Sequence, residues 1–68
     1  MNEETFNTAL RKFLRTVGVT AQQEIEKAVA AAIADGRLKG NEMLKAKMVL
    51  SIGEIALTHT IDADIALD

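Results

Sequence analysis

The chain has 68 residues, of which 49% are hydrophobic and 26% charged, with a net charge of −2 and neither proline nor cysteine. A chain of this length forms one domain at most and buries only about 60% of its unfolded surface. The composition is too apolar for a disordered segment. Without cysteine, neither disulfides nor thiolate metal sites can stabilise the fold.

The N-terminal sequence MNEETFN is acidic and has no apolar segment behind it, so no signal peptide is predicted. The longest mostly apolar run, AVAAAIA, is far shorter than the roughly 20 residues that span a bilayer. We therefore expect a soluble cytoplasmic protein without a membrane partner. Residues 1–50 hold all eight Lys and Arg against six acids, whereas residues 51–68 hold four acids and no base. Such ends neutralise each other within one fold or between two copies.

The first predicted element is an amphipathic helix over residues 3–17. Asn2 is a suitable N-cap, and Glu3 and Glu4 place negative charge on the first turn. Gly18 can adopt the left-handed conformation that ends a helix. The apolar residues with helical spacing are Phe6, Ala9, Leu10, Phe13, Leu14 and Val17.

A second helix is predicted over residues 21–35. Thr20 and Gln23 have the spacing of a capping box, and Gly36 is a natural stop. Its helical-period residues are Ile25, Ala28, Val29, Ala32 and Ile33. The alanines on its other side either reflect helix propensity alone or indicate a helix covered on two sides, by the first helix and by a sheet or a second subunit.

The period changes to two after a connector at residues 36–44, which predicts a β-hairpin over residues 45–61. A two-residue type II′ turn at Gly53 and Glu54 pairs Ile52 with Ile55 and places apolar residues on one face. The remaining predicted pairs are Leu50–Leu57, Met48–His59, Ala46–Ile61, Val49–Thr58, Lys47–Thr60 and Lys45–Asp62.

Residues 62–68 either continue the second strand or turn back as a short third strand. We favour the turn, because aspartate is depleted in strands and common in turns. The predicted fold is thus a single α+β domain over residues 1–68, with two helices packed on an antiparallel hairpin. The predicted core comprises Phe6, Leu10, Phe13, Leu14, Val17, Ile25, Val29, Ile33, Leu50, Ile52, Ile55 and Leu57.

His59 is the only histidine, and we interpret it as a partly buried or edge residue of the apolar face. Together with Asp62 and Asp64 it would form only a weak binding site for a hard cation, because these residues lack the spacing of an EF-hand loop. Ser51 has no elbow motif, and GRLKGNE lacks the spacing of a phosphate loop. We therefore predict no enzyme, no catalytic or metal site and no cofactor.

Two function classes remain. The first is a protein-interaction module whose partner is another protein or a second copy of the chain. The alternative is a nucleic-acid-binding accessory protein, which the absence of a recognition helix and of aromatic residues on the strands disfavours. The candidate interaction surface comprises Arg11, Lys12, Arg15, Lys47, Val49, Thr58 and Thr60.

Three stretches carry a family resemblance: MNEETFNTALRKFLRTVGVTAQQEIEKAV, GRLKG and the closing IALD. With them the chain resembles a family of short uncharacterised bacterial proteins, most of them from proteobacteria. The resemblance covers nearly the whole chain and implies a stand-alone protein. It implies no activity, so it assigns no catalytic or binding residues.

Overall fold

The structure, a computed structural model, describes residues 1–68 and divides into two compact units, Met1–Arg37 and Leu38–Asp68. The first unit holds one helix, α1 (Glu3–Ala34). The second holds an antiparallel hairpin of β1 (Met43–Ile52) and β2 (Leu57–Ala66), joined by a 3-10 turn at Gly53–Ile55. The chain is therefore α+β, as predicted, with a single helix and a two-stranded sheet.

Both ends of α1 form where the sequence predicts them. The Asn2 side chain accepts a hydrogen bond from the Thr5 N–H at 3.0 Å and caps the first turn. The helix ends at Ala34, followed by Asp35 as the C-cap and by Gly36, whose φ of +85° is the left-handed conformation of a helix stop. Asn2 and Gly36 lie outside the helix, so no intrahelical hydrogen bond competes with the capping conformation of either residue.

The prediction of two helices is wrong, because α1 runs through Gly18 without interruption. One glycine inside a helix costs about 1 kcal/mol relative to alanine, which the neighbouring helix formers outweigh. The Thr16 hydroxyl donates to the Lys12 carbonyl at 3.0 Å, so this threonine is also accommodated within the helix. With no proline between the predicted halves, neither Gly18 nor Thr20 ends the helical hydrogen bonding.

The second strand of the hairpin begins two residues later than predicted, at Leu57 instead of Ile55. Ile52 pairs with Leu57 instead of Ile55, so four residues connect the strands. The connection is a 3-10 turn closed by Ala56, which has a left-handed φ of 51° and donates its N–H to the Gly53 carbonyl at 3.1 Å. Gly53 itself has no positive φ, so the type II′ turn is absent.

All other predicted cross-strand pairs move by the same two residues. The observed pairs are Leu50–His59, Met48–Ile61, Ala46–Ala63, Val49–Thr60, Lys47–Asp62 and Lys45–Asp64. Because side chains alternate between faces with a period of two, a shift by two leaves every residue that remains in a strand on its predicted face, whereas Ile55 and Ala56 move into the turn. The predicted division into an apolar and a polar face is therefore correct although the pairing is not.

The third strand does not form, because β2 continues to Ala66. Aspartates at positions 62 and 64 are tolerated in this strand since each lies opposite a lysine on the polar face, Asp62 across from Lys47 and Asp64 across from Lys45. Opposite charges across strands stabilise such pairs. The Leu67 N–H then donates to the Glu42 carbonyl at 3.1 Å and extends the pairing by one bond.

None of the predicted core residues is fully buried. Ala32, which is 7% exposed, is the only buried hydrophobic residue. Of the predicted core residues, four are half-buried and the other eight are exposed. The half-buried four are Val17, Val29, Leu50 and Leu57.

Candidate interaction surfaces

An apolar stripe runs along the whole of α1. Its residues form three series in which members are eleven positions apart: residues 6, 17 and 28, residues 10, 21 and 32, and residues 14 and 25. Eleven residues complete three turns at 3.67 residues per turn, so the series stay aligned on one side of a nearly straight helix. We call this set the helix stripe; it comprises Phe6, Leu10, Leu14, Val17, Ala21, Ile25, Ala28 and Ala32.

The helix stripe changes from large, exposed side chains to small ones along its length. Phe6 is 50% exposed, as is Phe13 at the edge of the stripe. Towards the C-terminus of the helix the stripe holds Ala21, half-buried, and Ala32, buried. The large residues of the N-terminal half therefore leave several neighbouring apolar side chains exposed along one side of α1.

The basic residues of the predicted interaction surface lie on α1. Arg11, Lys12 and Arg15 are all exposed, and none of them has an acidic partner within ion-pair distance. The ion pair within α1 is Lys27 with Glu24, at 3.7 Å between nitrogen and oxygen. The N-terminal half of the helix thus carries an uncompensated cluster of positive charge.

The hairpin residues of the predicted interaction surface share the polar face of the sheet. Val49 pairs with Thr60, and Lys47 with Asp62, so the lysine lies beside an acid rather than beside Thr60 as predicted. Thr58 pairs with Ser51. These residues are exposed and adjacent. Their role in an interaction stays a prediction.

The other face of the hairpin is apolar and contains His59. Two of its large side chains are well exposed, Met48 at 43% and Ile61 at 55%. His59 is exposed on this face and lies opposite Leu50, which is half-buried. Asp62 and Asp64 differ from His59 in parity along β2 and therefore lie on the polar face, so the three side chains do not converge. No group of three or more His, Asp or Glu side chains is close enough to hold a metal ion.

Two carboxylates organise the segment between helix and hairpin. The Glu42 carboxylate accepts the backbone N–H groups of Lys39, at 2.9 and 3.2 Å, and of Gly40, at 3.0 Å. These bonds, that of Lys39 first, hold the pKa of Glu42 below its ordinary value despite an opposing desolvation. Gly40 has a φ of +103°, which requires glycine.

Asp35 has a comparable role at the helix end. Both of its carboxylate oxygens accept the Arg37 Nε–H at 2.9 Å, and one also accepts the Arg37 backbone N–H. The Arg37 side chain first, then its N–H, lowers the pKa of Asp35. Neither carboxylate was predicted to matter. The signal available was an acid two or three residues from glycine-rich positions, which is common in turns and therefore weak.

A model of one protein family covers the chain from residue 1 to residue 68. The chain belongs to DUF6494, a family of unknown function. This confirms the resemblance to an uncharacterised family, and DUF6494 assigns no activity to any residue described above. No match was found among curated proteins or solved structures. The helix of this DUF6494 chain is not apolar enough over its length to cross a membrane.

Proposed function

We propose that this chain is a non-enzymatic protein-interaction module that works as a homodimer. The observation that carries the proposal is the exposure of the large apolar side chains of the helix stripe and of the apolar hairpin face, with Ala32 alone buried. Monomeric soluble proteins rarely leave contiguous apolar patches of this kind in water. A second copy of the chain brings matching apolar surfaces in equal amount.

The energetics of each unit support the proposal. A helix in a protein draws most of its stability from the packing of its amphipathic face against another surface. A two-stranded hairpin is at best marginally stable in water. The opposite charges at the two ends of the sequence, basic up to residue 50 and acidic beyond it, are also suited to neutralisation between copies.

A binding role is favoured over a catalytic one by the placement of the titratable groups. His59 lies on the opposite face of β2 from Asp62 and Asp64, so an acid–base pair does not form among them. Glu42 and Asp35 use their oxygens to hold the backbone and side chain of the connecting segment. These hydrogen bonds give both carboxylates a structural role in the connecting segment.

The test is the mass of the protein in solution as a function of concentration. Size-exclusion chromatography with light scattering should give about 15 kDa, twice the 7.4 kDa of the chain. The midpoint of thermal unfolding should rise with protein concentration, because association stabilises the folded state by mass action. A particle of 7.4 kDa at the highest concentration, with its helical circular dichroism intact, would contradict the homodimer.

Nucleic-acid binding through Arg11, Lys12, Arg15 and the hairpin lysines is the weaker candidate. The hairpin register places Asp62 and Asp64 directly opposite Lys47 and Lys45, which offsets their positive charge. Only the helix then offers a basic cluster. A gel-shift series at low salt checks this candidate: binding that weakens steeply as salt rises would support it, and the absence of a shift would remove it.

A further inference from the structure

We infer that the homodimer forms by antiparallel pairing of the two α1 helices along the helix stripe, with the two-fold axis at the level of residue 19. This inference rests on the proposed self-association and specifies its surface and direction. The helix stripe is the longest continuous apolar surface in the chain, extending from Phe6 to Ala32. At 1.5 Å per residue it is about 39 Å long.

The order of residues in the helix stripe favours the antiparallel direction. An isologous dimer requires a surface that is complementary to itself after a two-fold rotation. Rotation about residue 19 brings three of the four large residues of the N-terminal half to the level of an alanine of the C-terminal half, whereas Leu14 comes to the level of Glu24, next to Ile25. The level pairs are Phe6–Ala32, Leu10–Ala28 and Val17–Ala21.

Parallel pairing in register gives a different result. Phe6 would face Phe6 at one end, and Ala32 would face Ala32 at the other. The interhelical distance depends on side-chain size at the contact and spans about 8–10 Å. The large pairs would hold the helices apart where the alanines need a close approach, and the gap would forfeit packing. In the antiparallel dimer the alanines opposite Phe6, Leu10 and Val17 allow a similar close approach at these three levels.

Charge favours the same direction. Arg11, Lys12 and Arg15 lie at the levels of Lys27, Glu26 and Gln23 of an antiparallel partner, and these three residues carry no net charge. In a parallel dimer the three bases would lie beside the same three bases. The helix dipoles are likewise better opposed than aligned.

The experiment combines one substitution with intermolecular distances. Leu10→Glu puts a charge into the stripe twice per dimer and should weaken the dimer about 100-fold or more, since two buried leucines are lost. Thr8→Glu is the matched control, because Thr8 is exposed on the side of α1 opposite the stripe. It should leave the mass unchanged.

Direction is measured on chains with an unaltered stripe. The chain has no cysteine, so single cysteines can be placed at Thr8, Gln23 or Ala30 and spin-labelled; all three positions are exposed and lie opposite the stripe. Antiparallel pairing separates the labels at Thr8 and at Ala30 by about 33 Å along the axis, and those at Gln23 by about 12 Å. Parallel pairing in register gives no axial separation at any of the three positions, so the three distances are equal.

Each outcome is decisive. Long distances at Thr8 and Ala30 with a shorter one at Gln23, together with dissociation by Leu10→Glu alone, support the inference. Three equal distances overturn the antiparallel direction, and a dimer that survives Leu10→Glu overturns the stripe as its surface. A wild-type monomer at every concentration overturns the proposed homodimer itself.

Discussion

The helix and the hairpin differ in where their stability resides. In α1 every backbone bond joins residues four apart, no residue has a left-handed φ, and the caps lie only at the ends. In the hairpin the bonds join distant residues, and the connection depends on Ala56, an alanine held in a left-handed conformation. The helix is therefore most sensitive to a break in its middle, whereas the hairpin can be improved at its turn.

The largest effect should come from proline in the middle of α1. Val19→Pro removes the helical N–H of residue 19 and drives the ring against the Arg15 carbonyl, which costs about 3 kcal/mol. Helical circular dichroism and the urea midpoint should both fall. Val19→Ala is the control and should change neither greatly. In a chain with two helices and a turn at Gly18 and Val19, proline would be tolerated, so an unchanged midpoint would contradict the continuous helix.

Ala56→Gly should stabilise the hairpin. The left-handed conformation costs an alanine about 1 kcal/mol that glycine does not incur. Gly53→Ala should be tolerated, because Gly53 has no positive φ and no atom lies within 4 Å of the added Cβ. Slower amide exchange in β1 and β2 would report the gain. If Gly53→Ala were the damaging change and Ala56→Gly neutral, the two-residue turn would be correct after all.

Gly18→Ala also tests the continuity of α1, but it should stabilise the helix, whereas Val19→Pro should destabilise it. Gly18 is helical, and an added Cβ meets no atom within 4 Å in the chain. Alanine should therefore raise the free energy of unfolding by up to about 1 kcal/mol. Chemical denaturation measures the change. A loss of similar size would indicate that Gly18 needs a left-handed φ, or that a second helix approaches it closely.

These two regions also show which sequence signals are reliable. Periodicity correctly predicted helix on both sides of Gly18, and it predicted the correct face for the strand residues on both sides of the turn. The breaks between elements were predicted less well. Gly18 and the capping spacing of Thr20 and Gln23 are signals that a helix can absorb at about 1 kcal/mol, and a two-residue slip of the hairpin leaves every face unchanged.

The exposure of the predicted core residues could not be predicted from the same signals. Leu10, Leu14 and Ile25 have the spacing of core residues whether the surface that covers them belongs to the same chain or to another copy. Hydrophobic periodicity identifies the face to be buried and says nothing of its partner. The predicted two-helix packing provided a partner within the chain, and the continuous α1 removes it.

The smallest expected effect concerns the segment between the two regions. The Glu42 carboxylate is held by the N–H groups of Lys39 and Gly40, which lowers its pKa in the folded chain. A lowered folded pKa means that this contribution to stability is fully present above the unfolded value, about 4.3, and is lost as pH falls through the folded value. An NMR titration should show the Glu42 carboxyl protonating at lower pH than an ordinary glutamate side chain. Glu42→Gln should remove this part of the acid sensitivity while leaving α1 intact; a Glu42 that titrates at the ordinary glutamate value would show that the segment is not held by this side chain.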